Sequence, residues 1–420
     1  MVKLVYVLLD GVGDLPHPDL NDLTPLEAAY TPNMDMLARK GTMGRVYSVG
    51  KGIAPESDIA VLSMLGYRFR HEDYVGRGVI EALGSGVDFN DGDLAMRGNF
   101  ATIDGKLNII DRRAGRAIER YEAETLSKAI QENVKLTDGT FVLLPTVGHR
   151  VVLSVTASDG KLSANISNTD PAYAKVKGMG VAKPANTKLK LVDCKPLKSD
   201  SASKLAARLV NEFTRKSLKI LDEHEINRNR KNARKMAINC ILLRDASNRM
   251  PRLEPISKLH GMAFCCIVDM PVERGIAKIT NMRPFEAGNI GDYEQKAKVA
   301  AKCLEQHDAV YVHIKGPDEF GHDGDARGKK KSIEEIDRRF FGPLLNSIST
   351  DNVAIAISGD HSTPCIKKGH SDDPVPLLVS GKMVRNDNLG RFTESYAAKG
   401  TLGMLNGYEV LSRTIQLIRS

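Results

Sequence analysis

Apolar residues along this chain gather into short continuous runs, and polar residues gather into the turns that end them. Lys3–Leu9 is such a run, and Asp10-Gly-Val-Gly-Asp14 turns out of it. Thr31 to Ala38 reads as a helix, with Thr31 as N-cap, Pro32 in the first position, where its missing N–H costs nothing, and Gly41 closing it. Ala54 to Leu65 reads as a loop entering a second helix, with Ser57 near its start. From Met262 the alternation returns: Met262–Val268, Ala309–Ile314, Val353–Ser358 and Val375–Ser380 are strand-like, with helices over Tyr293–Gln306 and Ser332–Ile348. Continuous apolar strands separated by helices predict an α/β fold, a mostly parallel sheet covered on both faces.

The middle of the chain has a different pattern. Gly98–Ile103, Thr140–Leu144, Arg150–Val155 and Ala237–Leu243 read as short strands, separated by turn clusters such as Ser158-Asp-Gly160 and Asn168-Thr-Asp-Pro171. A long charged helix spans Ser201 to Leu221, and the basic stretch Arg228–Lys235 follows it. The two ends share one style and the middle has another. The economical organisation is a discontinuous α/β domain, residues 1–85 and 256–420, interrupted by an inserted α+β domain, residues 86–255.

Composition changes this picture little. The 420 residues carry a formal charge of +8, which favours anionic partners of several kinds. There is no tryptophan, which argues against base-stacking platforms, and the stretches Arg228–Lys235 and Arg327–Lys331 read as solvated faces. Nucleic acid is therefore not expected as the main partner. Six cysteines without a C-x-x-C pair suit a reducing compartment. No apolar run approaches the ~18 residues of a membrane span, so a soluble cytoplasmic protein with no membrane partner is expected. A homo-oligomer is compatible with the chain.

The candidate chemistry lies where strands end. Asp10 follows the first strand, Asp318 and His322 follow Ala309–Ile314, Asp360 and His361 follow Val353–Ser358, and His370 precedes Val375–Ser380. Ligands of open parallel sheets bind outside the carboxyl ends of the strands, so these side chains are expected at one edge. Asp and His without Cys suit Mn²⁺, Mg²⁺, Co²⁺ or Zn²⁺. Six such residues exceed the needs of one catalytic ion and fit two ions about 3.5–4 Å apart, an arrangement used in phosphoryl transfer. Ser57 reads either as a helix cap or as a nucleophile favoured by a helix N-terminus.

Several motifs then align together. Asp10-Gly-Val-Gly-Asp14, Thr31-Pro-Asn-Met-Asp35, Pro55-Glu-Ser-Asp58, Pro317-Asp-Glu-Phe-Gly-His-Asp-Gly-Asp325, Gly359-Asp-His-Ser-Thr-Pro364 and His370-Ser-Asp-Asp-Pro-Val-Pro376 closely resemble the archaeal-type 2,3-bisphosphoglycerate-independent phosphoglycerate mutases of the alkaline phosphatase superfamily. The resemblance implies an alkaline-phosphatase-like fold with an inserted lid domain, and interconversion of 2-phosphoglycerate and 3-phosphoglycerate through a phosphoserine. The alternative within the superfamily is a metal-dependent phosphomonoesterase or a mutase of another phosphosugar. It further implies that Asp10, Ser57, Asp360 and His361 hold one divalent ion and that Asp318, His322 and His370 hold the other. No 2,3-bisphosphoglycerate would be required. In the insertion, similarity around Asn99-Phe-Ala-Thr102, Asp111-Arg-Arg-Ala-Gly-Arg116, His149-Arg150 and Leu242-Leu-Arg244 nominates Arg112, Arg113, Arg116, His149, Arg150 and Arg244 for substrate. Arg274 stands where related sequences carry a lysine, and is nominated for the same phosphate. Lys315 and Asp323 receive no role.

Overall fold

A computed structural model describes residues 2–68, 75–176, 179–182 and 189–419. The chain divides into two compact units, the first formed by Met1–Phe69, Leu253–Asp269 and Ala277–Ser420, the second by Arg70–Arg252 with Met270–Ile276. In chain order the strands are β1 (Lys3–Leu9), β2 (Gly41–Tyr47), β3 (Leu94–Ile103), β4 (Ile109–Asp111), β5 (Gly139–Pro145), β6 (Arg150–Ala157), β7 (Tyr173–Val176), β8 (Met179–Ala182), β9 (Cys240–Ser247), β10 (Phe264–Val268), β11 (Arg283–Glu286), β12 (Ala309–Ile314), β13 (Val353–Gly359), β14 (Val375–Ser380) and β15 (Gly403–Asn406).

The first unit is built on an eight-stranded sheet in the order β11-β10-β12-β1-β13-β14-β2-β15. The run from β11 to β13 is parallel, as the apolar pattern predicts. β14 is antiparallel to both β13 and β2. The segment 360–374 between β13 and β14 contains no crossover helix, and without one the next strand can only return antiparallel. All residues of β12 and β13 are buried, as are all of β1 after Lys3, so both faces of the central sheet are covered. On one face Val5, Val7, Val310, Val312, Ile355 and Ile357 share a core with Met34, Ala297, Ile333, Phe340 and Phe341. On the other, the buried Tyr6 hydroxyl donates to Met64 O at 2.9 Å, tying β1 to the helix Ser57–Met64.

Two local expectations change. Thr31 sits at the start of the helix Pro32–Arg39, but its side chain makes no capping bond. Asp337 caps instead, accepting from Met34 N at 2.8 Å and Asn33 N at 3.2 Å. The same aspartate opens a wide π-turn, Asp337–Phe341, that splits the long helix expected over Ser332–Ile348 into Ala326–Ile336 and Gly342–Ser347. The π-turn puts Phe340 and Phe341 into the core.

The second unit has a five-stranded antiparallel sheet, β4-β3-β6-β5 with β9 on β3. The helices Arg120–Asn133 and Ser201–Glu223 bury Leu126, Ile130, Leu209 and Phe213 against Leu94, Met96 and Leu153. The helix Arg77–Gly84 and the segment Met270–Ile276 belong to this unit although the sequence pattern groups both with the first. Glycines allow it: a Cβ on Gly84 would overlap Pro271 O, and one on Gly275 would overlap Ile80 O. The six cysteines, Cys194, Cys240, Cys265, Cys266, Cys303 and Cys365, are buried and form no disulfide. Among the described residues no helix is long and apolar enough to cross a membrane.

Candidate metal centre

β12, β1 and β13 are adjacent and parallel, with Leu9 aligned on both Ile314 and Gly359. Their exits therefore release Lys315, Asp10 and Asp360 at the same level. Two groups of possible metal ligands form there: Asp10, Asp360 and His361, and Asp318, His361 and His370. His361 belongs to both.

In the first group His361 Nε2 lies 3.5 Å from Asp10 Oδ1 and 3.3 Å from Asp360 Oδ2. Asp360 Oδ1 is fixed by Gly11 N and His361 N, each at 2.9 Å. The remaining oxygens, Asp10 Oδ1 and Asp360 Oδ2, are buried and accept no well-aligned hydrogen bond. Buried carboxylate oxygens rarely go unsatisfied, and a cation would satisfy these. Burial pushes the Asp10 carboxyl up to about 7, against the pull of Lys315, whose Nζ is 3.0 Å from Asp10 Oδ2. Burial also works against Asp360, but His361, His313 and Lys315 outweigh it and hold that carboxyl well below its usual range.

In the second group Asp318 Oδ1 is 3.5 Å from His370 Nε2, and Asp318 Oδ2 is 3.6 Å from His322 Nε2. His370 Nδ1 is 2.7 Å from Pro55 O, leaving Nε2 facing the centre. Burial lowers the His370 pKa but Asp318 more than compensates, raising it to about 9. His361, buried and without such a partner to dominate, is pushed down to about 4. The Thr363 hydroxyl joins the groups, donating to Asp318 Oδ1 at 2.7 Å and lying 3.1 Å from His361 Nδ1. Gly11 has φ +61° and a Cβ there would stand 2.7 Å from Asp318 Oδ1, so the turn after β1 depends on glycine. Three carboxylates, three imidazoles and no thiolate make a donor set that fits hard or borderline divalent ions.

Ser57 is the first residue of its helix rather than the cap, which is Glu56. Its hydroxyl is 3.1 Å from His361 Nε2, at the junction of the two groups. A hydroxyl at a helix N-terminus is placed to take negative charge.

The second unit has a basic cluster of its own. Arg112 is held by Asp170 through Nη2–Oδ2 at 2.6 Å and Nε–Oδ1 at 3.2 Å. Arg244 reaches the same carboxylate at 3.6 Å, and both guanidinium groups lie over the Tyr173 ring, at 4.9 and 4.7 Å. Burial and then the neighbouring arginines push Arg150 down to about 10, with Glu81 opposing, and push His149 down to about 3. Arg113 is likewise lowered, by burial first and then by Arg116. Crowding of cations to this degree creates an anion site. Arg116 and Arg274 are exposed, and Arg274 lies on the helix Pro271–Thr280.

A family model described as 2,3-bisphosphoglycerate-independent phosphoglycerate mutase matches residues 38–227. A protein of that name from Aeropyrum pernix is 41% identical over 99% of this chain and 100% of its own. One from Pyrococcus horikoshii is 37% identical over 99% of this chain and 97% of its own. This chain belongs to the 2,3-bisphosphoglycerate-independent phosphoglycerate mutase family. Two solved structures agree. A Pyrococcus horikoshii protein superposes with TM-score 0.80 at 32% identity, covering 100% of this chain and 97% of that one. The cofactor-independent phosphoglycerate mutase of Thermoplasma acidophilum gives 0.65 at 31% identity, covering 99% and 100%.

Against the division of ligands expected from the motifs, His361 belongs to both candidate groups, and His322 lies outside them, 3.6 Å from Asp318 Oδ2 with its side chain 44% accessible. Sequence reasoning missed His313, whose Nε2 lies 3.2 Å from Asp360 Oδ2 and 3.8 Å from Asp10 Oδ1. The signal was a lone histidine in a strand otherwise apolar. It also passed over Thr363, and in the second unit Asp170, Tyr173 and Arg97, whose guanidinium lies 2.9 Å from Glu81 Oε1 and 3.5 Å from Asp245 Oδ2. Lys315, left without a role, touches Asp10 directly.

Proposed function

We propose that this chain interconverts 2-phosphoglycerate and 3-phosphoglycerate, a step of glycolysis and gluconeogenesis, through a phosphoserine at Ser57. The observation that carries the reading is Ser57 Oγ at 3.1 Å from the one histidine common to both ligand groups. Asp10, Asp360 and His361, with Ser57, would hold one divalent ion, and Asp318, His370 and His322, with His361 at the shared edge, a second. Manganese, magnesium, cobalt and zinc all suit these donors. When bound, the ions lower the pKa of the serine hydroxyl and neutralise the transferring phosphoryl group.

The chain's residues do the rest. Ser57 Oγ attacks phosphorus, the bond to the glycerate oxygen breaks, and the serine proton passes to the departing oxygen. The glycerate then presents its other hydroxyl, the phosphoryl group moves to it, and Ser57 regains its proton. Water must be excluded while the phosphoserine exists, or the net reaction is phosphate release. In this reading the second unit is the lid, and Arg112, Arg113, Arg150, Arg244 and His149 recognise the glycerate carboxylate and hydroxyls. Guanidinium forks match carboxylates bidentately. Arg116 and Arg274 are exposed and add positive charge that attracts the anionic substrate. The enzyme works in the cytoplasm on a small molecule.

The test is a coupled 3-phosphoglycerate to 2-phosphoglycerate assay without 2,3-bisphosphoglycerate, run before and after chelation and with each metal restored. Activity is expected to vanish on chelation and return with divalent metal. Activity that needs bisphosphoglycerate, or that survives complete metal removal, would falsify the reading. Phosphate release matching isomerisation would instead identify a phosphomonoesterase. Arg150→Met is expected to raise KM for phosphoglycerate by about 10- to 100-fold, the size of one lost charge-assisted hydrogen bond, with a smaller change in kcat. An unchanged KM would remove Arg150 from the substrate site.

A further inference from the structure

Lys329 lies in the run Arg327–Lys331 that looks like a solvated face, yet it is 0% exposed. Its Nζ donates to Asp14 Oδ2 at 2.7 Å, Thr363 O at 3.0 Å and Gly13 O at 3.1 Å. That uses the three donors of an ammonium group. Each acceptor belongs to a turn bearing proposed ligands. Gly13 and Asp14 end the turn that begins with Asp10, and Thr363 is two residues beyond His361. Lys329 itself sits on the helix Ala326–Ile336, directly after the helix Pro317–Asp323 that carries Asp318 and His322.

The contacts continue inward to the ligands. Gly13 O also accepts from Thr363 N at 3.0 Å, so the two turns are already zipped together where the ammonium binds. The Thr363 hydroxyl then donates to Asp318 Oδ1 and lies beside His361 Nδ1. On the outer side, Asp14 Oδ1 accepts from Leu15 N at 2.8 Å and Cys365 N at 3.1 Å, while Asp14 N donates to Glu394 at 3.3 Å. One buried cation thereby joins three segments far apart in sequence, and touches no proposed ligand atom.

We propose that Lys329 is a positioning residue for the metal centre: with Asp14 as its counter-charge, it holds the turns after β1, β12 and β13 in the mutual placement that two ions require. The proposal rests on the two-metal reading above. Burying an ammonium is costly in itself, and a core needing only cohesion would be served as well by an apolar side chain. A staple with three separate acceptors fixes geometry that apolar packing does not.

The experiment is Mn²⁺ titration of the full chain, followed by isothermal calorimetry and by the electron paramagnetic resonance of free Mn²⁺. Lys329→Met is expected to weaken Mn²⁺ binding by about 10- to 100-fold, the effect typical of residues that orient metal ligands. That variant leaves Asp14 buried without its partner, so folding can suffer too. The double variant Lys329→Met/Asp14→Asn removes the lone charge and keeps an acceptor for Cys365 N. Its thermal midpoint in chelator should recover while Mn²⁺ binding stays weak. Mn²⁺ affinity returning together with the midpoint, or unchanged affinity in either folded variant, would overturn the proposal. If the unaltered chain binds no Mn²⁺, it is the two-metal reading that fails.

Discussion

Replacing Ser57 with alanine is expected to abolish isomerisation, with a loss on the order of 10⁴- to 10⁶-fold, as when other enzymes lose their nucleophile. The size follows from the site. The hydroxyl is the group at the junction of the two ligand sets that can carry a phosphoryl group, and no other hydroxyl is placed at 3.1 Å from His361 Nε2 among the described residues. Thr363 lies on the opposite ring nitrogen and is committed to Asp318. Asp10, Asp360, Asp318, His361 and His370 are untouched by the change, so most metal affinity should persist. Quenched turnover of the unaltered chain should give a phosphopeptide containing Ser57. Full activity in Ser57→Ala, or a phosphopeptide elsewhere, would end the phosphoserine mechanism.

The second large effect concerns His361. Asp10→Ala and His370→Ala each remove a ligand from one group, whereas His361→Ala removes one from both. It also removes the contact to the Ser57 hydroxyl. The expected result is near-complete loss of activity together with loss of both metals, against loss of one metal in each of the other two variants. Metal content after gel filtration in metal-free buffer measures this directly. Retention of one ion at full occupancy in His361→Ala would show that the shared position is not a shared ligand.

Much of the centre is legible in sequence because its chemistry interrupts hydrophobic runs. Asp10, Asp318 and Asp360 each stand shortly after a continuous apolar strand, and a parallel sheet brings such exits to one edge. His313 is hidden for the opposite reason: it lies inside the run, and periodicity does not show that a strand's last turn faces a site. Lys329 is hidden in a run of lysines whose average character is solvated. The basic cluster of the second unit depends on partners far apart, such as Arg112 with Asp170 and Arg97 with Asp245, so local pattern nominates some arginines and passes over others. The division of ligands between two groups is a matter of angstroms that spacing cannot resolve.

The neighbours of β1 have a consequence for synthesis. Leu4 aligns with Ala309 on one side and with Ala354 on the other. At translation rates of about 5–20 residues per second, the chain carries an apolar first strand for roughly 15–60 s before either neighbour has been made. Residues 75–252, by contrast, include every strand of the second sheet and leave the ribosome as one continuous stretch. The second sheet is thus complete before the first can close, and the sheet that carries the candidate ligands closes last around its oldest strand. Chaperone demand should concentrate in that interval, and charges that break up the run Leu4–Leu9 would shorten its sticky life only by unmaking the centre of the sheet.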